Sequence, residues 1–364
     1  MPLFTGPVDD PLAFNNNAPM QDALDATWQQ LSNAGTPTVD DLAVIVVALT
    51  GFEGGLNHPW AAIRDQDECY SASLIKIAAM YTAFDLRASA DQLATDPDQG
   101  LTTWPDIEAA LQATFDPDIA KHTPSLINAS TDLRDEDKDR RPDYSAVLQL
   151  GAPGGDFTVD FTPGQVSAFE NMMVQQHDQG ATTTIHGLGY PYIDGKIADD
   201  GFFDSTSSEG LWLAGDYAGI WPAARISCVN DVDTAQGTTA RQLARLLTLL
   251  ADDKLVGKLS SQGMKELMAR AGKFFESTTP PDLALRRTVC RHPRQGRHGP
   301  VEDQPDRDVR GDSRQRHRTE QELRRCLPER DSGRSDKAPG TCAGGDADRS
   351  CPERLLTSTR DRYG

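Results

Sequence analysis

The sequence predicts an α/β chain, and three observations predict it. Leu42 to Leu49, LAVIVVAL, is a continuous β-branched-rich apolar run of strand length. WAAIRDQ follows after Thr50-Gly51 and Gly54-Gly55, so the two runs read as a hairpin. Most of the remaining periodicity is helical. The regular stripe Leu243, Leu246, Leu247 and Leu250 lies behind Thr238 or Thr239 as N-cap.

The other elements follow in order. QDALDATWQQLSNA sets Ala23, Leu24, Trp28 and Leu31 on one helical face, and Gly35 ends the run. The hairpin comes next, then a helix opening at YSASLIKIAAMYTAF. Residues 88–163 are rich in Asp, Pro and Gly, with a helix near Pro105–Thr114 and the charged run DLRDEDKDRRPD; they read as a surface insertion. Pro163 opens another helix, and SSQGMKELMARA gives a short one after the leucine stripe. Domain limits are then an N-terminal extension 1–19, a main domain 20–285 and a low-order tail 286–364.

The tail differs in kind. It carries 18 Arg and 1 Lys against 14 acids, whereas the chain before it carries 17 basic and 41 acidic residues. It has no period of 2 or 3.6. A natural disordered tail and a basic partner-binding arm both compete with a third reading, a GC-rich gene translated out of frame, which the patternless Arg, Pro, Gly, Asp, His and Cys favour.

The bulk numbers exclude several classes. A formal net charge of -19 over 364 residues argues against nucleic acid and anionic membrane surfaces. No apolar run of about 18 residues exists to span a bilayer. The N-terminus has no basic-then-apolar leader pattern, from which a cytoplasmic location is expected unless the start codon is mis-assigned. The six cysteines form no CxxC pair, so neither a metal centre nor a disulfide framework is expected, and no cofactor is implied. Oligomeric state is left open.

Ser73 and Lys76 carry the chemistry. Positions i and i+3 share a helical face about 5–6 Å apart. A serine on the first turn lies where free N–H groups favour developing negative charge. A buried amine one turn on can serve as general base, which makes an activated nucleophile for acyl transfer. Ser is also a common N-cap, and Ser-x-x-Lys often arises without catalysis.

In context the chain resembles the serine β-lactamase and penicillin-binding superfamily, nearest the class A-like hydrolases. Three segments carry the resemblance over roughly residues 20–275: LAVIVVALTGFEGG, YSASLIKIAAMYTAF and DTAQGTTARQLARLLTLLADDKLVGKLSSQGMKELM. It implies an antiparallel sheet flanked by helices, with an all-helical subdomain inserted between the second and third strands. It also implies amide or ester substrates, β-lactam or peptide-like. At the family's Ser-Asp-Asn position stand His177, Asp178 and Gln179. There Asp178 matches, His177 replaces a proton-relaying hydroxyl, and Gln179 replaces a substrate-holding Asn. The family's deacylating Glu has no match; Glu209 and Asp216, the nearest acids, read as loop or capping carboxylates. No Lys-Thr-Gly strand follows residue 275. The alternative is therefore a degenerate, non-catalytic member, and a glutaminase-like Ser-x-x-Lys enzyme is a third reading.

Overall fold

The computed structural model describes residues 2–13, 16–34, 42–49 and 58–278. All belong to one unit, Met1–Arg287. The Arg-rich stretch 286–364 with its four cysteines, and the Gly-rich turn expected between the first two strands, lie outside the described residues.

The chain is mixed α/β with small antiparallel sheets. Helix α1 (Ala18–Asn33) is followed by the hairpin β1 (Val44–Val47) and β2 (Trp60–Ile63), paired Val44 to Ile63 and Val47 to Trp60. Strand β3 (Glu68–Tyr70) runs into a 3-10 turn (Ala72–Ile75) and then α2 (Lys76–Thr95). The segment after α2 holds α3 (Trp104–His122), α4 (Ser125–Ala129), α5 (Asp135–Lys138) and α6 (Tyr144–Val147). It ends in the hairpin β4 (Leu148–Leu150) and β5 (Val159–Phe161).

Next come α7 (Pro163–Phe169), a π turn (Glu170–Val174), α8 (Asp178–Leu188) and α9 (Tyr190–Asp199). Strands β6 (Phe203–Asp204) and β7 (Glu209–Gly210) pair together, while β8 (Trp212–Leu213) joins the sheet β3-β9-β8 through β9 (Gln236–Thr239). The described chain closes with α10 (Ala240–Ala251) and α11 (Lys258–Thr278). Among the described residues no helix is long and apolar enough to cross a membrane.

The core forms around α2. Its sequence is apolar nearly all round, and fourteen of its twenty residues are buried. A buried polar knot ties it to α9. The Lys196 amine lies 3.0 Å from Asp200 and 3.5 Å from Asp85, Tyr81 donates to Asp200, and the Tyr192 hydroxyl donates to Asp85 at 3.2 Å.

Two expectations are corrected here. Residues 88–163 are not a surface insertion: Ile107, Leu111, Phe115 and Ile119 recur every four residues on α3 and are buried, and Val159 and Phe161 pack beside α2. The charged run 132–143 is itself partly inside, with Leu133 and Asp137 buried. Nor is 1–19 a mere extension: Leu3, Phe4 and Leu12 are buried, and Phe4 stacks on His122 with centroids 4.3 Å apart. Two helix readings also shift. Helix α1 buries none of its residues, with Leu24 and Trp28 only half-buried against β2. Helix α11 runs to 21 residues rather than a short piece.

Candidate functional site

Three chain segments converge on the start of α2. The first is the strand that delivers Ser73. Strand β3 pairs with β9, and both the backbone N–H and the hydroxyl of Ser71 donate to the Gln236 carbonyl at 3.0 and 2.9 Å. The ladder thus ends at Ser71. Ala72 then turns into the left-handed region at φ 47, which costs a non-glycine residue roughly 1–2 kcal/mol. The Tyr217 hydroxyl holds that turn by donating to the Ala72 carbonyl at 2.9 Å.

Ser73 falls inside the 3-10 turn rather than on α2 itself, and it is exposed. Lys76 opens α2 and is 2 % exposed. The expected hydroxyl–amine pairing is not the contact that forms: no hydrogen bond joins Ser73 to Lys76. The serine faces solvent, while the lysine turns inward.

The second segment brings the lysine its partner. The Lys76 amine lies 2.6 Å from the Asp178 carboxylate, across 102 residues of sequence. Asp178 is the first residue of α8, where a carboxylate is favoured by the positive helix end. Gly180 sets the position of that first turn. A side chain there would meet the Ala168 carbonyl at 2.5 Å and the Met172 amide nitrogen at 2.6 Å, so glycine lets α8 close onto α7 and the π turn. Asp178 remains 60 % exposed, so the pair has one buried and one wet member.

Of the three residues at this expected motif, Asp178 alone arrives. His177 caps α8 with its backbone, its N–H donating to Asn171, while its exposed ring makes no side-chain hydrogen bond to a described residue. Gln179 is likewise exposed, and only its carbonyl is engaged, by the Thr183 hydroxyl.

The third segment supplies Tyr217, which sequence reasoning missed. Its ring lies 4.6 Å from the Lys76 amine. Burial pushes its phenol well up, with Tyr70 and Asp178 adding to the shift, so it stays a proton donor. The loop beneath it is fixed. Asp216 accepts from the Ile220 amide and meets His186 at 3.2 Å; His186 stacks on Trp221 at 3.4 Å, and the Arg140 guanidinium lies 3.7 Å from that same indole. Burial lowers the His186 imidazole against the opposing pull of Asp216. No motif marks Tyr217 in the sequence, since its role depends on where the loop folds.

Asp216 is thus a capping carboxylate. Glu209 lies on β7 and lines a cavity of about 590 Å³ with Glu68 and Cys228. Neither acid touches Ser73 or Lys76. Among the described residues no three His, Cys, Asp or Glu side chains gather where a metal ion could be held. Beside the serine turn, a second cavity of about 480 Å³ is lined by Tyr70, Ser71, Leu74 and the start of β1.

No protein-family model, curated protein or solved structure matches this chain.

Proposed function

We propose that the chain is a β-lactamase-like serine hydrolase that forms an acyl-enzyme at Ser73 from amide or ester substrates, β-lactam or peptide-like. One observation carries the reading: the buried Lys76 amine against Asp178 at 2.6 Å, three residues from an exposed hydroxyl. A lysine taken out of water is costly unless paired, and this one is paired at the start of α2, directly after the 3-10 turn that holds the serine.

The chemistry runs as follows. Ser73 Oγ attacks the carbonyl carbon, and its proton passes to Lys76 in the uncharged amine form, whose extra proton has first gone to solvent while Asp178 holds the nitrogen in place. The Ser73 N–H, which bonds to no described residue, is available to the oxyanion. Lys76 then returns a proton to the leaving nitrogen or oxygen as the carbon–heteroatom bond breaks. Tyr217 holds the Ala72 carbonyl and so the strained turn. His177 and Gln179 have no part in these steps. Since no second carboxylate lies at Ser73 among the described residues, the ester should turn over slowly.

The test is labelling of the intact protein with a fluorescent penicillin and with a fluorophosphonate, read by mass on the Ser73 peptide. Ser73→Ala should abolish the adduct, and Lys76→Met should slow it about 10²-fold or more. No adduct on folded protein would sink the reading. The degenerate alternative draws on one fact, that Ser73 makes no side-chain hydrogen bond to a described residue. Hydrolysis above background that disappears in Ser73→Ala would reject it.

A further inference from the structure

The two edges of the β1–β2 hairpin are treated differently. The outer edge of β2 is closed: the Asn17 N–H donates to the Trp60 carbonyl at 2.8 Å, and the Gln21 amide both donates to and accepts from the Ala62 backbone at 2.9 and 3.0 Å. The outer edge of β1 pairs with no described residue. The Ala48 N–H donates to Pro59, so the ladder's alternation turns the N–H and C=O of Ile45 and Val47 outward. These groups meet no described residue.

Apolar side chains crowd this edge. Leu42, Val46 and Leu49 on and beside β1 are 44, 46 and 52 % exposed. Leu74 of the serine turn is 64 % exposed, and Tyr70 and Leu247 are exposed as well. The strand VIVV carries no charge and no proline, the usual protections of an edge. A two-stranded sheet is marginal on its own, and an apolar edge of this kind is a pairing template.

We infer that β1 pairs edge to edge with β1 of a second copy of this chain. The strand is self-complementary about Val46. An antiparallel twofold there sets Ile45 opposite Val47 of the copy and Val47 opposite its Ile45. Each outward N–H then faces an outward C=O, and Val46 meets its own mate. The C-terminal stretch of the chain does not fit the edge as well, and the flanks 35–41 and 50–57 carry Gly, Pro and acids in place of an alternating apolar run. Residues 279–364 contain no Ile and no Phe, only three Val, and no alternating apolar run. The chain's net charge of -19 makes two copies repel, so the pairing should tighten with salt.

The experiment is sedimentation of the full chain from about 1 to 100 µM, with hydrogen exchange read at Ile45 and Val47 over the same range. Dimer is expected to grow with concentration, and protection at both amides with it. Val46→Lys places like charges directly opposite at the twofold and should shift the dissociation constant at least about tenfold upward. Val46→Thr should keep the dimer; both variants should melt like the parent at low concentration. Three outcomes overturn the inference: amides unprotected at every concentration, which leaves the edge to a foreign strand or to none; protection independent of concentration, which assigns the edge to the same chain; or a dimer unaffected by Val46→Lys, which puts the interface elsewhere.

Discussion

Helices α1 and α2 are of similar length and share an apolar-plus-alanine character, yet one buries none of its residues and the other buries fourteen. Neighbours make the difference. Helix α2 is enclosed by α8, α9, α3 and the β4–β5 hairpin, whereas among the described residues α1 packs chiefly on β2. Burial here reports how many layers surround an element, not how apolar its sequence is. The strand side of the molecule is therefore the weaker half, and the serine turn stands at the boundary between the two.

The largest test of that contrast is truncation. Phe115→Ala in the fully buried face of α3 should cost about 3–5 kcal/mol in urea unfolding, while Trp28→Ala on α1 should cost about 1 kcal/mol. Equal costs would mean α1 is covered and would break the comparison.

Acid groups sharpen it next. Burial pushes Glu68 up to about 8, against help from the Gly210 amide, and Asp194 up to about 8; Asp200 rises to about 7. A carboxyl raised in the folded state binds a proton there at pH values where the unfolded chain does not. Its contribution is present below the unfolded value, near 4.5 for Glu68, and is lost as pH rises through the folded value. Melting temperature should therefore fall between about pH 5 and 8. Glu68→Gln should flatten part of that fall by about 2–4 kcal/mol, and an unchanged slope would assign the loss to the α9 carboxyls.

Smaller effects belong to the boundary itself. Asp178→Ala strands the Lys76 charge and should cost about 2 kcal/mol, with Asp178→Asn milder because an amide oxygen still accepts. If both cost nothing in thermal melts, Lys76 has another partner. Thr239→Ala removes the hydroxyl that caps α10 through the Gln242 amide and should cost about 1 kcal/mol.

Much of this was legible beforehand. Thr239 is one of the two expected caps, the two apolar runs do pair as a hairpin, and Pro163 does open a helix. The buried face of α3 was written in its four-residue spacing and masked by the acids between. The site was legible only in part. Asp178 could be anticipated from a motif position, but its neighbours His177 and Gln179 point elsewhere, because successive residues at a helix start project in different directions. Tyr217 could not be anticipated at all, since a loop residue acquires its partner from tertiary folding.

Between the π turn at Glu170–Val174 and α8 the chain is not helical. Such a turn accommodates one residue more than an α-turn, and the helix ends just beyond it. Gln176 then takes φ 62 before α8 begins. Insertion or loss of one amino acid in this short stretch would re-index which of three consecutive side chains reaches the buried amine. Natural variation at the site can thus enter through chain length as well as through substitution.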